Sequence, residues 1–326
     1  MNVWIRADGN HILASGHFRR TMAIAQELKN RGSHVLFLLS GDESRDFFIH
    51  LMDQDKTKWD YLVLGVPYGK PLDELPVLEK IAEGIKPDWM LVDSYAVGES
   101  YFASLRKIAS KTAYIDDLMQ FDPEVDILLN YGPCVKQEKA WYQKAKMKLL
   151  GPSYVPLRPQ FFDLYPKVRQ EVTTVLIATG GTDPYEMAGA LKEMVEERGL
   201  KAKVVAPGYP YVTRMAGLMQ ECDLAFSAGG TTLYELCAAG VPAASFSMAE
   251  NQTVFAESMA TSEACWYLGD VQTKAGKKEV LKKAMSWLDE RCSSCGLEIR
   301  QKESACMHHL TDGKGASRIA DAILQN

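Results

Sequence analysis

The sequence predicts an α/β chain made of two doubly wound, parallel-sheet halves, and three observations carry that prediction. Short apolar runs of strand length alternate with helical stretches. The alternation occurs twice, on either side of a segment punctuated by Gly132-Pro133, Gly151-Pro152, Pro156, Pro159 and Pro166. A chain of 326 residues exceeds one ordinary core, and it suits two domains of about 150 residues each. The expected domains are residues 1–150 and 151–326, with a linker across 132–170.

In the first half, Val3-Trp4-Ile5 reads as an apolar strand, and Phe18, Met22, Ala25 and Leu28 then recur at helical spacing up to Arg31-Gly32. His17 therefore falls in the first turn of a helix. The positive end of the helix dipole disfavours a further positive charge there, so the imidazole is expected to be free to take a proton, as a general base does. The plainer alternative is a ring that caps the helix or packs under the loop. Gly16 lets a ligand approach the helix start, where backbone N–H groups can meet negative charge.

Val35 to Leu39, Tyr61 to Leu64, Trp89 to Val92, Thr112 to Ile115 and Ile127 to Leu129 are the next strands, with helical stretches at Leu72 to Gly84 and Gly98 to Ser110. Right-handed crossovers between parallel strands place ligands beyond the carboxyl ends of the sheet. Asp8, Asp93-Ser94-Tyr95, Asp116-Asp117 and Asn130 all stand just there and share that edge with His17. Each alone also reads as a cap or turn residue.

After the linker, which holds a short helical piece at Glu138 to Ala145, strands recur at Thr174 to Ala178, Lys203 to Ala206, Leu224 to Ser227 and Ala243 to Phe246. The loop Thr179-Gly180-Gly181-Thr182-Asp183-Pro184 offers small residues and hydroxyls where a phosphate could meet backbone N–H groups. It has neither the trailing Lys of a P-loop nor dinucleotide-fingerprint spacing. Ser227-Ala228-Gly229-Gly230-Thr231-Thr232-Leu233-Tyr234-Glu235 is more telling, since a strand leads into two glycines, two hydroxyls at a helix start and an acid one turn in. Such a turn sets amides and hydroxyls on a diphosphate, and the carboxylate can accept both hydroxyls of a ribose. Asn251 and Gln252, ahead of a helix at Thr253 to Met259, could bind sugar hydroxyls or phosphate oxygens, or merely cap.

Cys292, Cys295, Cys306, His308 and His309 do not match a usual zinc spacing and read as helix-surface residues, so no metal is expected. Ala316 to Leu324 forms an amphipathic helix with a face free to pack back across the domains. A net charge of −5 argues against a dedicated nucleic-acid binder. No apolar run reaches the roughly 18 residues of a membrane span, and no signal peptide is apparent. Seven scattered cysteines fit reduced thiols, so a cytoplasmic location is expected, as a monomer by default.

The motifs Ile5-Arg6-Ala7-Asp8, Gly16-His17-Phe18-Arg19-Arg20, Val92-Asp93-Ser94-Tyr95, Ile115-Asp116-Asp117, Asp126 to Asn130, Gly151-Pro152-Ser153-Tyr154 with Leu157-Arg158, Gly180-Gly181-Thr182-Asp183 and Glu250-Asn251-Gln252 stand in order along most of the chain. Together they resemble the GT-B glycosyltransferase architecture, two Rossmann-like domains facing across a cleft. More narrowly they resemble the UDP-sugar hydrolases of pseudaminic acid biosynthesis, which release 2,4-diacetamido-2,4,6-trideoxy-L-altrose from UDP, and related spore-coat polysaccharide proteins. The resemblance implies that His17 is the catalytic base and that Glu235 holds the ribose of UDP. With the two glycine loops, the UDP site expected comprises Gly180, Gly181, Thr182, Gly230, Thr231, Thr232 and Glu235. The sugar contacts expected are Asp8, Gly16, Arg20, Asp93, Tyr95, Asp116, Asn130, Arg158, Asn251 and Gln252, with no cofactor. The chain from about Leu268 onward departs from the family pattern. Two rival expectations are an inverting glycosyltransferase, with Ile12 and Leu13 facing its acceptor, and a non-catalytic nucleotide-sugar sensor.

Overall fold

A computed structural model describes residues 1–10, 15–133, 140–263 and 265–326, apart from the side chain of Asn251. Ile12 and Leu13, Glu138 and the Asn251 amide thus lie outside the described parts. The chain divides into two compact units, Met1–Arg158 with Gly315–Asn326, and Pro159–Lys314.

Seven strands make the sheet of the first unit: β1 (Asn2–Ala7), β2 (His34–Leu39), β3 (Asp60–Val63), β4 (Trp89–Asp93), β5 (Lys111–Ile115), β6 (Ile127–Asn130) and β7 (Met147–Leu150). Their order is β3-β2-β1-β4-β5-β6-β7, parallel throughout. β1 and β4 are fully or nearly fully buried, as strands covered by helices on both faces must be. The strand order reverses between β1 and β4, where Ala7 pairs with Asp93, and ligands of such sheets bind outside that switch point. Helices α1 (Gly16–Asn30), α2 (Asp42–Asp55), α3 (Pro71–Ala82) and α4 (Glu99–Ile108) connect the strands.

The sheet of the second unit holds β8 (Thr174–Ala178), β9 (Lys201–Val205), β10 (Leu224–Ala228), β11 (Ala243–Ser247) and β12 (Trp266–Asp270), in the order β12-β11-β10-β8-β9. Again every pair is parallel. Its helices are α5 (Met187–Glu196), α6 (Met215–Gln220), α7 (Thr232–Ala239), α8 (Glu250–Thr261), α9 (Lys274–Cys292) and α10 (Gly296–Leu310). The switch point here lies between β8 and β10, so the loops at Gly180 and Gly230 flank it.

Three features differ from expectation. The first unit runs to Arg158 rather than 150 and takes back residues from Gly315, because α11 (Gly315–Gln325) packs its apolar face, with Ile319 and Ile323 buried, on α1. β7 lies inside the expected linker, and β12 closes a sheet expected to end at β11. The third concerns α8, which starts at Glu250, so Asn251 and Gln252 stand within its first turn rather than ahead of it.

The segment beyond Leu268 braces the second unit. Arg291, 1% exposed, lies over the rings of Trp287 and Trp266 at 4.5 and 5.1 Å and pairs with Glu303. Ser304 donates to the Gly240 carbonyl, and His308 Nδ1 is 3.1 Å from the Ala238 carbonyl, so α10 covers the end of α7. Cys292 and Cys295 are exposed and Cys306 is half-buried. Among the described residues no helix is long and apolar enough to cross a membrane.

Candidate active site

The first turn of α1 stands over the switch point of the first sheet. Its Gly16, His17 and Phe18 amides have no intrahelical acceptor, and among the described residues nothing lies within 4 Å of where a Cβ on Gly16 would stand. His17 is 4% exposed. Its Nδ1 lies 2.5 Å from Oδ1 of Asp93, the last residue of β4, and the ring meets Tyr95 edge-on at 4.5 Å. Arg20, one turn along the same helix face, donates from Nε to Asp93 Oδ2 at 2.6 Å. Its Nη1 donates to Asp117 Oδ2 at 2.6 Å and to the Tyr131 hydroxyl at 2.5 Å. Tyr95 completes the ring of bonds by donating to Asp117 Oδ2 at 2.9 Å.

Burial alone would raise the Asp93 carboxyl, but the Arg20 charge and the His17 contact outweigh it and hold the group down at about 2. An ionised carboxylate only accepts. The Nδ1 of His17 is therefore the donor, and the ring's lone pair sits on Nε2. The cluster carries one guanidinium against the carboxylates of Asp93 and Asp117. The phenol of Tyr95 is pushed up by burial first and by Asp117 second, which keeps it a donor.

Other rim residues spend their polar atoms locally. Asp8 pairs with Arg6 at 2.5 Å and accepts from the Ser40 amide and the Ser44 hydroxyl, while Arg6 also holds the buried Glu74. Asp116 accepts from the Leu118 and Met119 amides and from Tyr142, which also receives a bond from Asn130. These groups shape the rim. Arg158 is half-buried at the last residue before the second unit. Tyr131 is a partner that no sequence signal marks. The sequence places Asp117 on the rim together with Asp116 but puts the expected sugar contact at Asp116; adjacent side chains at a strand end point in different directions, and nothing local says which of the two meets Arg20.

In the second unit, Gly180 adopts φ +84°, and no atom of the described residues stands within 4 Å of a Cβ on Gly180 or Gly181; both, with Thr182, are exposed. The Asp183 carboxylate, however, accepts from the Met187 and Ala188 amides at 2.9 Å each. The start of α5 is thus already occupied by a negative group, and only the loop's own amides remain for an anion. The turn after β10 is tighter. A Cβ on Gly229 would stand 2.7 Å from the Gln252 carbonyl, whereas one on Gly230 would meet nothing within 4 Å among the described residues. Thr231 stands at the N-cap position of α7 without a side-chain cap bond, Thr232 begins the helix, and Glu235 is half-buried one turn in. The Oε1 of Gln252 accepts from the Met248 amide at 2.9 Å.

No family model matches the chain. The spore coat polysaccharide biosynthesis protein SpsG of Bacillus subtilis is 27% identical over 366 residues, covering 100% of this chain and 98% of that protein. The pseudaminic acid cytidylyltransferase and UDP-2,4-diacetamido-2,4,6-trideoxy-beta-L-altropyranose hydrolase of Helicobacter pylori is 25% identical over 208 residues, 59% of this chain and 40% of that protein. An uncharacterised protein of Methanocaldococcus jannaschii is 24% identical over 277 residues, 74% of this chain, and the match spans 54% of its length. Among solved structures, MurG of Acinetobacter baumannii superposes with a TM-score of 0.70 at 14% identity, covering 100% of this chain and 99% of that one. The chain has a GT-B-like fold.

Proposed function

We propose that this chain is an enzyme of nucleotide-sugar metabolism that hydrolyses a UDP-linked sugar, with His17 as general base. The observation that carries the reading is the buried His17–Asp93 pair at the switch point of the first sheet. The names of the matched proteins support the sugar-nucleotide part of it. Asp93 orients the ring, Arg20 pins Asp93, and Nε2 takes a proton from a water molecule. The water oxygen bonds to the anomeric carbon as the bond from that carbon to the diphosphate oxygen breaks, and UDP leaves with the electron pair. The sugar is released with inverted configuration.

In this reading the second unit holds UDP. Gly180, Gly181 and Thr182 face the diphosphate with Gly230, Thr231 and Thr232, whose amides and hydroxyls meet the charge that develops on the leaving group. Glu235 accepts the ribose hydroxyls. Tyr95, beside His17, faces the sugar, while Asp8, Asp116 and Asn130 act by shaping the rim. Gly16 leaves the sugar room, and Arg158, Asn251 and Gln252 remain sugar-contact assignments. The substrate we assign is a UDP-linked diacetamido-trideoxy hexose of pseudaminic acid-type biosynthesis.

Incubation of UDP-amino sugars in heavy-oxygen water, with no acceptor added, tests the reaction. The expected result is free sugar labelled at the anomeric oxygen, unlabelled UDP and many turnovers. Turnover that needs an added acceptor would make the chain a glycosyltransferase, and UDP binding without any turnover would make it a sensor. His17→Ala is expected to lower kcat by about two to four orders of magnitude.

A further inference from the structure

A Cβ on Gly9, two residues past β1, would stand 2.7 Å from both Cδ2 and Cε2 of Phe18 and 3.0 Å from Cδ1 of Phe47. Non-bonded carbon atoms pack at about 3.5 to 4.0 Å. The φ of Gly9 lies outside the left-handed region, so its backbone would accept any residue, and the aromatic contact is what demands glycine.

Neither side of that contact can give way. Asp8, next to Gly9, accepts from the Ser40 amide at 2.9 Å and the Ser44 hydroxyl at 2.7 Å, and Ala7 is paired in the sheet with Asp93. Phe18 is wholly buried, with Phe48 edge-on at 4.8 Å and Phe37 against Phe48 at 4.9 Å. A ring so closely packed has nowhere to turn, so a side chain on Gly9 would push the first turn of α1 off the sheet. That turn carries His17 beside Phe18, and the Thr21 hydroxyl lies 2.7 and 3.2 Å from their two carbonyls, so the residues move together. Across the same gap His17 Nδ1 meets Asp93 at 2.5 Å. Hydrogen bonds of this kind hold over a range of only about half an ångström.

We propose that Gly9 is a positioning residue for His17: its lack of a side chain lets Phe18 seat α1 against the end of β1, and that seating sets the reach of the imidazole to Asp93. The effect on turnover rests on the reading of His17 as base, whereas the placement of the ring does not.

Gly9→Ala, Phe18→Leu and the double variant of the whole chain test it. Phe18→Leu alone should lower Tm by leaving a gap, and the same substitution in the Gly9→Ala background should raise it, because Leu makes room for the added methyl. The Nδ1 proton of His17, assigned by NMR through its loss in His17→Gln, reports the bond to Asp93. It should move upfield or be lost to exchange in Gly9→Ala and return in the double variant. On a UDP-sugar, kcat should fall about ten- to a hundredfold in Gly9→Ala with KM little altered, and recover to within about threefold in the double variant. An Nδ1 signal unmoved in Gly9→Ala, or still displaced in the double variant, would overturn the proposal, as would a Phe18→Leu effect on Tm of one sign in both backgrounds. Where Gly9→Ala alone does not fold, a folded double variant with the native imidazole signal is the expected result, and an unfolded one overturns it. A native chain that leaves UDP-sugars intact counts against the base alone, and the imidazole signal still decides the role of Gly9.

Discussion

Asp93 ties the chemistry of the first unit together, because it is bonded at once to His17 and to Arg20 and is wholly buried. Asp93→Asn keeps the shape but presents an amide that can also donate, so Nδ1 of His17 is no longer held as the donor. We expect kcat to fall by about two orders of magnitude or more with KM little altered. Steady-state kinetics on a UDP-sugar read that split. The carboxyl is lowered from 3.8 to about 2, so its contribution to stability is complete above pH 3.8 and is lost as pH falls toward about 2. The gap in Tm between the native chain and Asp93→Asn should therefore narrow across that interval, and a constant gap would contradict the pairing. Asp117→Asn should loosen Arg20 and reduce kcat, whereas Asp116→Asn should act mainly on the stability of the turn it caps. His17, Arg20 and Asp93 were legible in the sequence because helix spacing and strand ends brought them to one edge. Asp117 was legible only as one of a rim pair with Asp116, and Tyr131 not at all, since side-chain direction there depends on a packing that no local spacing encodes.

The loops after β8 and β10 look alike in sequence, yet they end differently. Asp183 closes the first helix start and Gly230 leaves the second open. Asp183→Ala should cost about 1 kcal/mol of stability, the usual worth of a helix cap. Calorimetric titration with UDP should show no accompanying loss of affinity. Gly229→Ala should lower both, forcing the turn away from Gln252 at a cost in stability and weakening UDP by about tenfold or more, since its Cβ would stand 2.7 Å from a carbonyl. The apolar strands with clear punctuation, such as Val35 to Leu39 and Thr174 to Ala178, were readable from run length alone. β7 (Met147–Leu150) was hidden by a lysine and the following Gly-Pro, and β12 (Trp266–Asp270) by its mixed composition at the sheet edge.

At the scale of the whole molecule, α11 belongs to the first unit although it follows the second in sequence. Arg31, the residue after α1, bonds to Asp321 at 2.6 Å and to the Ser317 hydroxyl at 2.6 Å, and Arg318 reaches the Ser153 carbonyl. Removing residues 315–326 uncovers the apolar face of α1, and we expect the first unit to melt several degrees lower, read by calorimetry. Residues 159–314 expressed alone should fold, since their sheet and core are self-contained. The amphipathic pattern of Ala316 to Leu324 showed a helix in search of a partner, but an apolar stripe does not name the surface that receives it. The same arrangement orders events on the ribosome. The helix that finishes the earlier-made lobe is translated only after the whole of the later one, so a nascent chain carries α1 partly bare for the time needed to make more than 150 further residues. That interval is when a chaperone has something to hold.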